Sequence, residues 1–370
     1  MFVKQKALLF DDIEAYMIGL LRYGVLDVRP DELLASTDVD WEKMMDIVAA
    51  QGVLAWVWDG ICKLPKVNQP PRIMSINWGL SAQEIWDRYE VHKKVLRQLI
   101  NICTQNHVRL LLFKGIALSE LFPKPESRPS GDIDIYLFED YNKGDELFAH
   151  INVSKTNKRT GFDYYGVHIE NHRIFLNTYY KKQVEAIKYL EGTLDSVIQT
   201  EDGYYIMSPM ANIVYQVMHF IAHFDDASAS LSLKFVVDFG VTLRHNYNKV
   251  SAEELGKVLG QLKIVNVFCL MLSMVEVVMG LKYNSYRFLS IPSEDVKSIF
   301  HLVMHRPKEF IPLADRKFSD RVLFYYSRYR QYNKLFKYLP FSRWSFIVKS
   351  IRELCSVSIH RIFVSHVRDN

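Results

Sequence analysis

This chain has few cysteines and none of the spacings that give cysteine a structural job. Cys62, Cys103, Cys269 and Cys355 are far apart and form no CxxC pair. That argues against a disulfide scaffold or a zinc ribbon, and isolated buried thiols in a reducing cytoplasm are the expectation. Long uninterrupted apolar runs are also missing. The greasiest stretch, Val265 to Leu281, contains Asn266 and Glu276 and is too short and too polar to span a bilayer comfortably. The N-terminal segment meets Asp11, Asp12 and Glu14 too early for a secretory signal, so a cytoplasmic protein with no transmembrane segment is expected. No GxSxG, Walker A or strand-linked GxGxxG motif occurs, which removes the main support for hydrolase-elbow, P-loop and Rossmann chemistry. There is no repeat of about 20–50 residues and no low-complexity segment.

The 370 residues, 49% hydrophobic and 24% charged, belong to an ordinary globular protein able to bury a sizeable core. The net charge of +4 conceals an asymmetry: residues 301–370 carry 14 Lys/Arg against 5 Asp/Glu, and the rest of the chain is slightly acidic. That tail is rich in aromatics, including Tyr325, Tyr326, Phe336, Tyr338, Trp344 and Phe346. Basic residues interleaved with aromatics suit nucleic acid or an anionic membrane surface. A helical arm with its aromatic face packed on the body is the commoner arrangement.

Hydrophobic periodicity divides the chain into four regions. Residues 1–105 read as helical, with amphipathic stretches at Trp41–Trp58 and Gln83–Asn106 separated by a Pro-rich turn region from Lys63 to Arg72. Residues 106–205 read as an α/β core of short strands, among them Val108–Phe113, Ser130–Phe138 and Gly166–Phe175. Residues 206–300 read as a helical domain opened by Ser208-Pro209, and 301–370 as the basic helical tail. The expected fold class is therefore α+β: a small mixed sheet flanked by N-terminal and C-terminal helical regions.

The most informative stretch is Gly131-Asp132-Ile133-Asp134. In a strand, Asp132 and Asp134 project to one face and Ile133 and Ile135 to the other. Two carboxylates held about 6–7 Å apart on one face repel each other, and burying either unpaired is costly. A hard divalent cation removes both problems; the plain alternative is a solvated edge strand. Upstream, the apolar Val108–Phe113 runs into Lys114-Gly115 and a short helix, a turn that can present N–H groups to a phosphate with Lys114 adding charge. Arg128 lies four residues before Asp132, placed either to hold a triphosphate or to pair with that carboxylate. Downstream, alternation puts His168, Glu170 and His172 on one strand face. If that strand neighbours the first, Glu170 joins the two aspartates around one or two Mg²⁺ ions, a recurrent arrangement for in-line attack on phosphorus. His219 and His223, four apart on a helix, are a rival zinc pair, but Phe220 stands where the metalloprotease motif needs Glu. With Lys234 and Asp238 they otherwise line the cleft or a polar seam.

Lys114-Gly115, Leu118, Arg128, Gly131-Asp132-Ile133-Asp134 and Ile169-Glu170-Asn171-His172 resemble the uncharacterised bacterial nucleotidyltransferase-like family of the polymerase-β nucleotidyltransferase superfamily. The resemblance runs from about Asp31 to about His245, with Met218–His223 and Lys234–Asp238 in its helical part. It implies transfer of a nucleoside monophosphate from an NTP, ATP among them, with Mg²⁺ (or Mn²⁺) as cofactor. By position, Asp132, Asp134 and Glu170 match the metal-binding catalytic carboxylates. Lys114 and Gly115 stand in place of the superfamily's Gly-Ser turn, and Arg128, Gly131, His172, His223 and Lys234 are the further nucleotide-binding candidates. The acceptor is left open among a small molecule, a protein and RNA. A catalytically inactive nucleotide-binding or protein-interaction module of the same fold is the alternative.

Overall fold

Gly52 divides the first amphipathic stretch. It takes φ +65° at the end of α2 (Trp41–Gln51), a backbone state that costs glycine little, and the chain restarts as α3 (Leu54–Cys62). Before them lies α1 (Asp12–Leu26), opened by a capping box between Asp11 and Glu14. Helices α1 and α3 cross with their backbones touching. A Cβ built on Gly24 would lie 1.9 Å from the Trp56 carbonyl oxygen, and one on Gly60 2.1 Å from that of Leu20. The Pro-rich segment carries only a 3₁₀ turn (Lys66–Asn68) before α4, a helix of 34 residues (Arg72–Gln105). The computed structural model describes residues 10–30, 39–148, 153–156, 159–174, 184–225, 231–304, 318–333, 335–340 and 342–352.

The middle of the chain builds a mixed seven-stranded sheet: β1 (Leu111–Leu112), β2 (Asp132–Tyr136), β3 (Ser154–Lys155), β4 (Arg159–Tyr164), β5 (Val167–His172), β6 (Ile198–Gln199) and β7 (Tyr205–Ile206), ordered β3-β4-β5-β2-β1-β7-β6. The three strands anticipated from sequence are present but shorter than their apolar runs. Two helices stand where only strands and turns were expected, α6 (Tyr141–Phe148) and α7 (Val184–Gly192); a short helix α5 (Gly115–Ser119) follows β1 as anticipated. Strand β2 is the middle strand, parallel to β5 and antiparallel to β1. The acidic pair is therefore not on a solvated edge.

The two faces of the sheet meet different cores. Leu110, Leu112, Ile133, Ile135, Val167 and Ile169 pack with Leu96, Leu99, Ile100 and Cys103 from the C-terminal half of α4. Each such fully buried side chain contributes roughly 1.5–3 kcal/mol. On the other face Leu111, Phe113 and Phe138 join a larger core shared with α1 to α3 and with the later helices. These are α8 (Pro209–Asp225), α9 (Leu233–Asn246), α10 (Ala252–Gln261), α11 (Val265–Met279) and α12 (Ser293–Met304). The greasy Val265–Leu281 stretch is thus a core helix, and no helix among the described residues is long and apolar enough to cross a membrane.

In the basic tail, α13 (Phe318–Tyr332) buries Tyr325, and Phe336, Tyr338 and Phe346 after it are buried against the larger core. Those aromatics pack as the commoner arrangement requires, while Tyr326 and Trp344 are exposed. Cys103 and Cys269 are buried thiols, but Cys62 is exposed at the last position of α3, where the helix leaves the core; Cys355 lies outside the described residues.

Candidate metal and nucleotide site

The parallel pairing of β2 with β5 sets Asp134 directly opposite Glu170, and Tyr136 opposite His172. Ile133 and Ile135 anchor the strand in the α4-side core, so Asp132 and Asp134 face the helical side. Asp134, Glu170 and His172 are all buried, and their ligand atoms lie within 4.8 Å of one another. His172 Nε2 is 2.7 Å from Asp134 Oδ1 and 3.2 Å from Glu170 Oε2, with its ring edge-on to Phe113. The tight cluster is thus two acids and an imidazole; Asp132 stands beside it on the same strand. His168, opposite Asp132 in the register, is exposed and pairs with Asp163 at 2.9 Å.

Cations surround the acids. Lys114 Nζ reaches the same Asp134 oxygen at 2.9 Å, and Arg159 on β4 reaches Glu170 Oε2 at 2.7 Å. Lys114 holds φ +58°, ψ −153°, a region that is essentially glycine's and costs other residues of order 1–3 kcal/mol. The next residue, Gly115, is pressed against the start of β2: a Cβ there would lie 3.0 Å from Ser130 Oγ and 3.1 Å from the Asp132 carbonyl oxygen. Gly131 is exposed, with open space around it.

Arg128 is 2% exposed. It neither pairs with Asp132 nor points freely into the cleft. Its Nε and Nη2 donate to the two carboxylate oxygens of Asp238 on α9, both at 2.8 Å, and its Nη1 donates to the Gly115 carbonyl at 2.6 Å. A guanidinium fork suits this bidentate task, and it ties the glycine turn to α9.

Helices α8 and α9 supply the opposite wall. Tyr215, His219 and His223 recur every four residues on α8: Tyr215 stacks on His219, and the two His Nε2 atoms are 3.0 Å apart. Phe235 on α9 contacts both imidazoles. The buried Tyr215 hydroxyl lies beside the Lys114 ammonium, which partly offsets the upward push of burial on its pKa.

Electrostatics separate these groups. Burial, then Asp134 and Glu170, push the Asp132 carboxyl up to about 6 against the partial relief of Lys114 and Lys234. Burial also works to raise Asp134, but Lys114 and His172 outweigh it and hold that carboxyl well below the usual range. For Lys114 burial is likewise overruled, by Asp134 first, and its ammonium is held firmly charged. Lys234 lacks such a contact: burial and Arg128 bring its amine down to about 8, against Asp238 and Asp132. His219 is neutral, lowered by burial, His223 and Lys114.

These donors fit a hard divalent cation. Asp134 and Glu170 supply buried carboxylate oxygens bridged by the His172 imidazole, and Asp132 a carboxylate with no hydrogen-bond partner among the described residues. Of the residues singled out in the sequence, Lys114, Asp132, Asp134, Glu170, His172 and Lys234 come together, with Gly115 and His223 at the margins. Tyr215 and Arg159 went unnoticed. The four-residue spacing from His219 marks Tyr215. Arg159 can be counted back from the tight turn at Tyr165 and Gly166, whose φ values of +49° and +78° suit a two-residue hairpin.

Comparison with curated proteins and with solved structures gave no match. The sequence profile of a family described as uncharacterised nucleotidyltransferase matches residues 37–280, about two-thirds of the chain and every residue of the site. On that match the chain belongs to this nucleotidyltransferase family.

Proposed function

We propose that the protein transfers a nucleoside monophosphate from an NTP to an acceptor at the face of β2 and β5, in the manner of the polymerase-β superfamily. The observation that carries this reading is the in-register Asp134–Glu170 pair, with an unpartnered Asp132 beside it and amines on the adjoining wall. Asp132, Asp134 and Glu170 are the residues that would hold Mg²⁺ or Mn²⁺, with His172 orienting two of the carboxylates. When bound, the metal supplies neutralisation of phosphate charge and activation of the nucleophile.

The chain's own residues do the rest. Gly115 lets the turn pack closely on the start of β2 and so sets the nucleotide-binding turn against the acids, and the exposed Gly131 beside it leaves room for phosphate oxygens. Lys114 and Lys234 provide charge for the triphosphate, and Arg128 keeps the turn in place by holding the Gly115 carbonyl. His223 and Phe235 sit where a base or sugar would be met. In the reaction, an acceptor oxygen bonds to the α-phosphorus as the α–β bridging bond breaks. Pyrophosphate leaves with those electrons, and the acceptor proton passes to one of the site carboxylates. The acceptor is a small molecule, a protein side chain or an RNA end. The dispersed cysteines suit a cytoplasmic setting.

Calorimetric titration with each NTP in the presence of Mg²⁺ or Mn²⁺, repeated on the folded Asp132→Asn/Asp134→Asn variant, tests the reading. Metal-dependent nucleotide binding in the wild type and its loss in the variant are expected; equal behaviour of the two proteins overturns the assignment. Binding without turnover of any acceptor in cell lysate would favour the inactive module.

A further inference from the structure

The acid cluster already holds a cation of the chain's own, and this has a consequence for binding order. Asp134 Oδ1 receives Lys114 Nζ at 2.9 Å and His172 Nε2 at 2.7 Å. A carboxylate oxygen has two lone-pair positions, so both are taken. The ammonium and its partner are largely shielded from water, with side chains 17% and 3% exposed. Asp132, two residues away on the same face, has no such partner among the described residues. One oxygen of Asp134 is therefore capped, and the cation that caps it stands between the two acids and any metal arriving at that oxygen.

We propose that Lys114 occupies the metal position in the nucleotide-free protein and yields it only when donor phosphates draw its ammonium away, so that metal and nucleotide enter together. The inference rests on the nucleotidyltransferase reading. A metal arriving alone has to evict a buried ammonium into a cleft whose other amine, Lys234, repels it, and a buried charge without a partner is costly. A triphosphate at the Gly115 turn offers that ammonium a new anion. The turn also stores backbone strain at Lys114, whose φ and ψ lie where glycine alone is comfortable, and strain of this kind clusters at ligand clamps and switch regions.

The test is Mn²⁺ affinity, read by paramagnetic resonance of the free ion at fixed pH and ionic strength. It is measured for the full chain and for its Lys114→Gln, Lys114→Gly and Lys234→Gln variants, without nucleotide and with a non-hydrolysable NTP analogue. Lys114→Gly tolerates the positive φ, so it keeps the test open if Lys114→Gln fails to fold. Without nucleotide, the Lys114 variants are expected to bind Mn²⁺ at least about tenfold tighter than the wild type, within the usual range of coupling between sites. The analogue should tighten Mn²⁺ binding in the wild type and add little in those variants. Lys234→Gln removes a nearby charge without touching Asp134, and should give a clearly smaller gain.

If the Lys114 variants bind Mn²⁺ no better than the wild type, or Lys234→Gln gains as much, while the wild type still binds the analogue with Mn²⁺, the exchange is refuted and the function stands. If no folded form binds Mn²⁺ together with the analogue, both fall.

Discussion

Replacing Asp132 by Asn keeps the shape of the side chain and removes its charge, and the site geometry sets what that does to the fold. The carboxyl is raised from its ordinary 3.8 to about 6 by burial and by Asp134 and Glu170, and it has no hydrogen-bond partner among the described residues. Its ionised form is therefore held in the folded protein at a cost. Each tenfold change in proton affinity is worth about 1.4 kcal/mol, so above pH 6 the cost is at most about 3 kcal/mol. Because the folded value lies above the unfolded one, the neutral acid's stabilising advantage is complete below about pH 4 and is lost as pH rises through about 6. Asp132→Asn should thus match the wild type near pH 4, overtake it between pH 4 and 6, and stay more stable by up to about 3 kcal/mol at pH 7, a rise in Tm of a few degrees. The same variant should lose metal-dependent nucleotide binding. Thermal unfolding of both metal-free proteins from pH 4 to 8 is the assay. A variant no more stable at pH 7, or a difference that does not change with pH, would refute the account of Asp132 as an acid held against its own repulsion.

Arg128→Ala leaves Asp238 buried without its partner and frees the Gly115 carbonyl; a loss of about 3–5 kcal/mol is expected in denaturant unfolding, with Arg128→Lys only partly restoring the two-pronged contact. Lys234→Met removes an amine whose folded value has fallen from 10.5 to about 8. Since the folded value is the lower one, the cost of the charge is full below pH 8 and disappears by about pH 10.5. The variant should be more stable at pH 7 by up to about 3 kcal/mol, equal to the wild type near pH 10.5, and weaker in nucleotide binding by calorimetry. Gly60→Ala drives a methyl into the Leu20 carbonyl and should cost about 1–3 kcal/mol or more through separation of α1 from α3, seen as a lower denaturant midpoint with binding per folded molecule unchanged.

Much of the site was legible because it is local. Alternation alone put Asp132 and Asp134 on one face, and the same rule put Glu170 with His172. What a single sequence does not contain is which strands are neighbours: only the parallel β2–β5 register turns two separate motifs into one cluster. Arg128 shows the same limit. Its place four residues before Asp132 suggested that acid or a phosphate, whereas its partner, Asp238, is 110 residues away. Helices α6 and α7 were missed because each is a short element of 8 or 9 residues among strands, with too few turns for its period to stand out. Cys62 read as one more buried thiol, but an apolar helix exposes whatever stands at its last position when the chain there turns outward.

The N-terminal helices also have a history in time. Arg22 on α1 donates to the carbonyls of Val277 and Val278 at the end of α11, the latter 256 positions later. Gln51 at the end of α2 donates to Val303, 252 positions later, and accepts from the Leu233 amide. At roughly 5–20 residues per second, a ribosome would need some 10–50 s to make the residues these side chains bind. Throughout that interval α1 and α2 have α3 to pack on but not α11 and α12, while the sheet, whose strands lie within about a hundred residues of one another, can already close on α4. The helical body is therefore completed last, and the cleft comes into being only when α8 and α9 settle over a strand that already carries its acids.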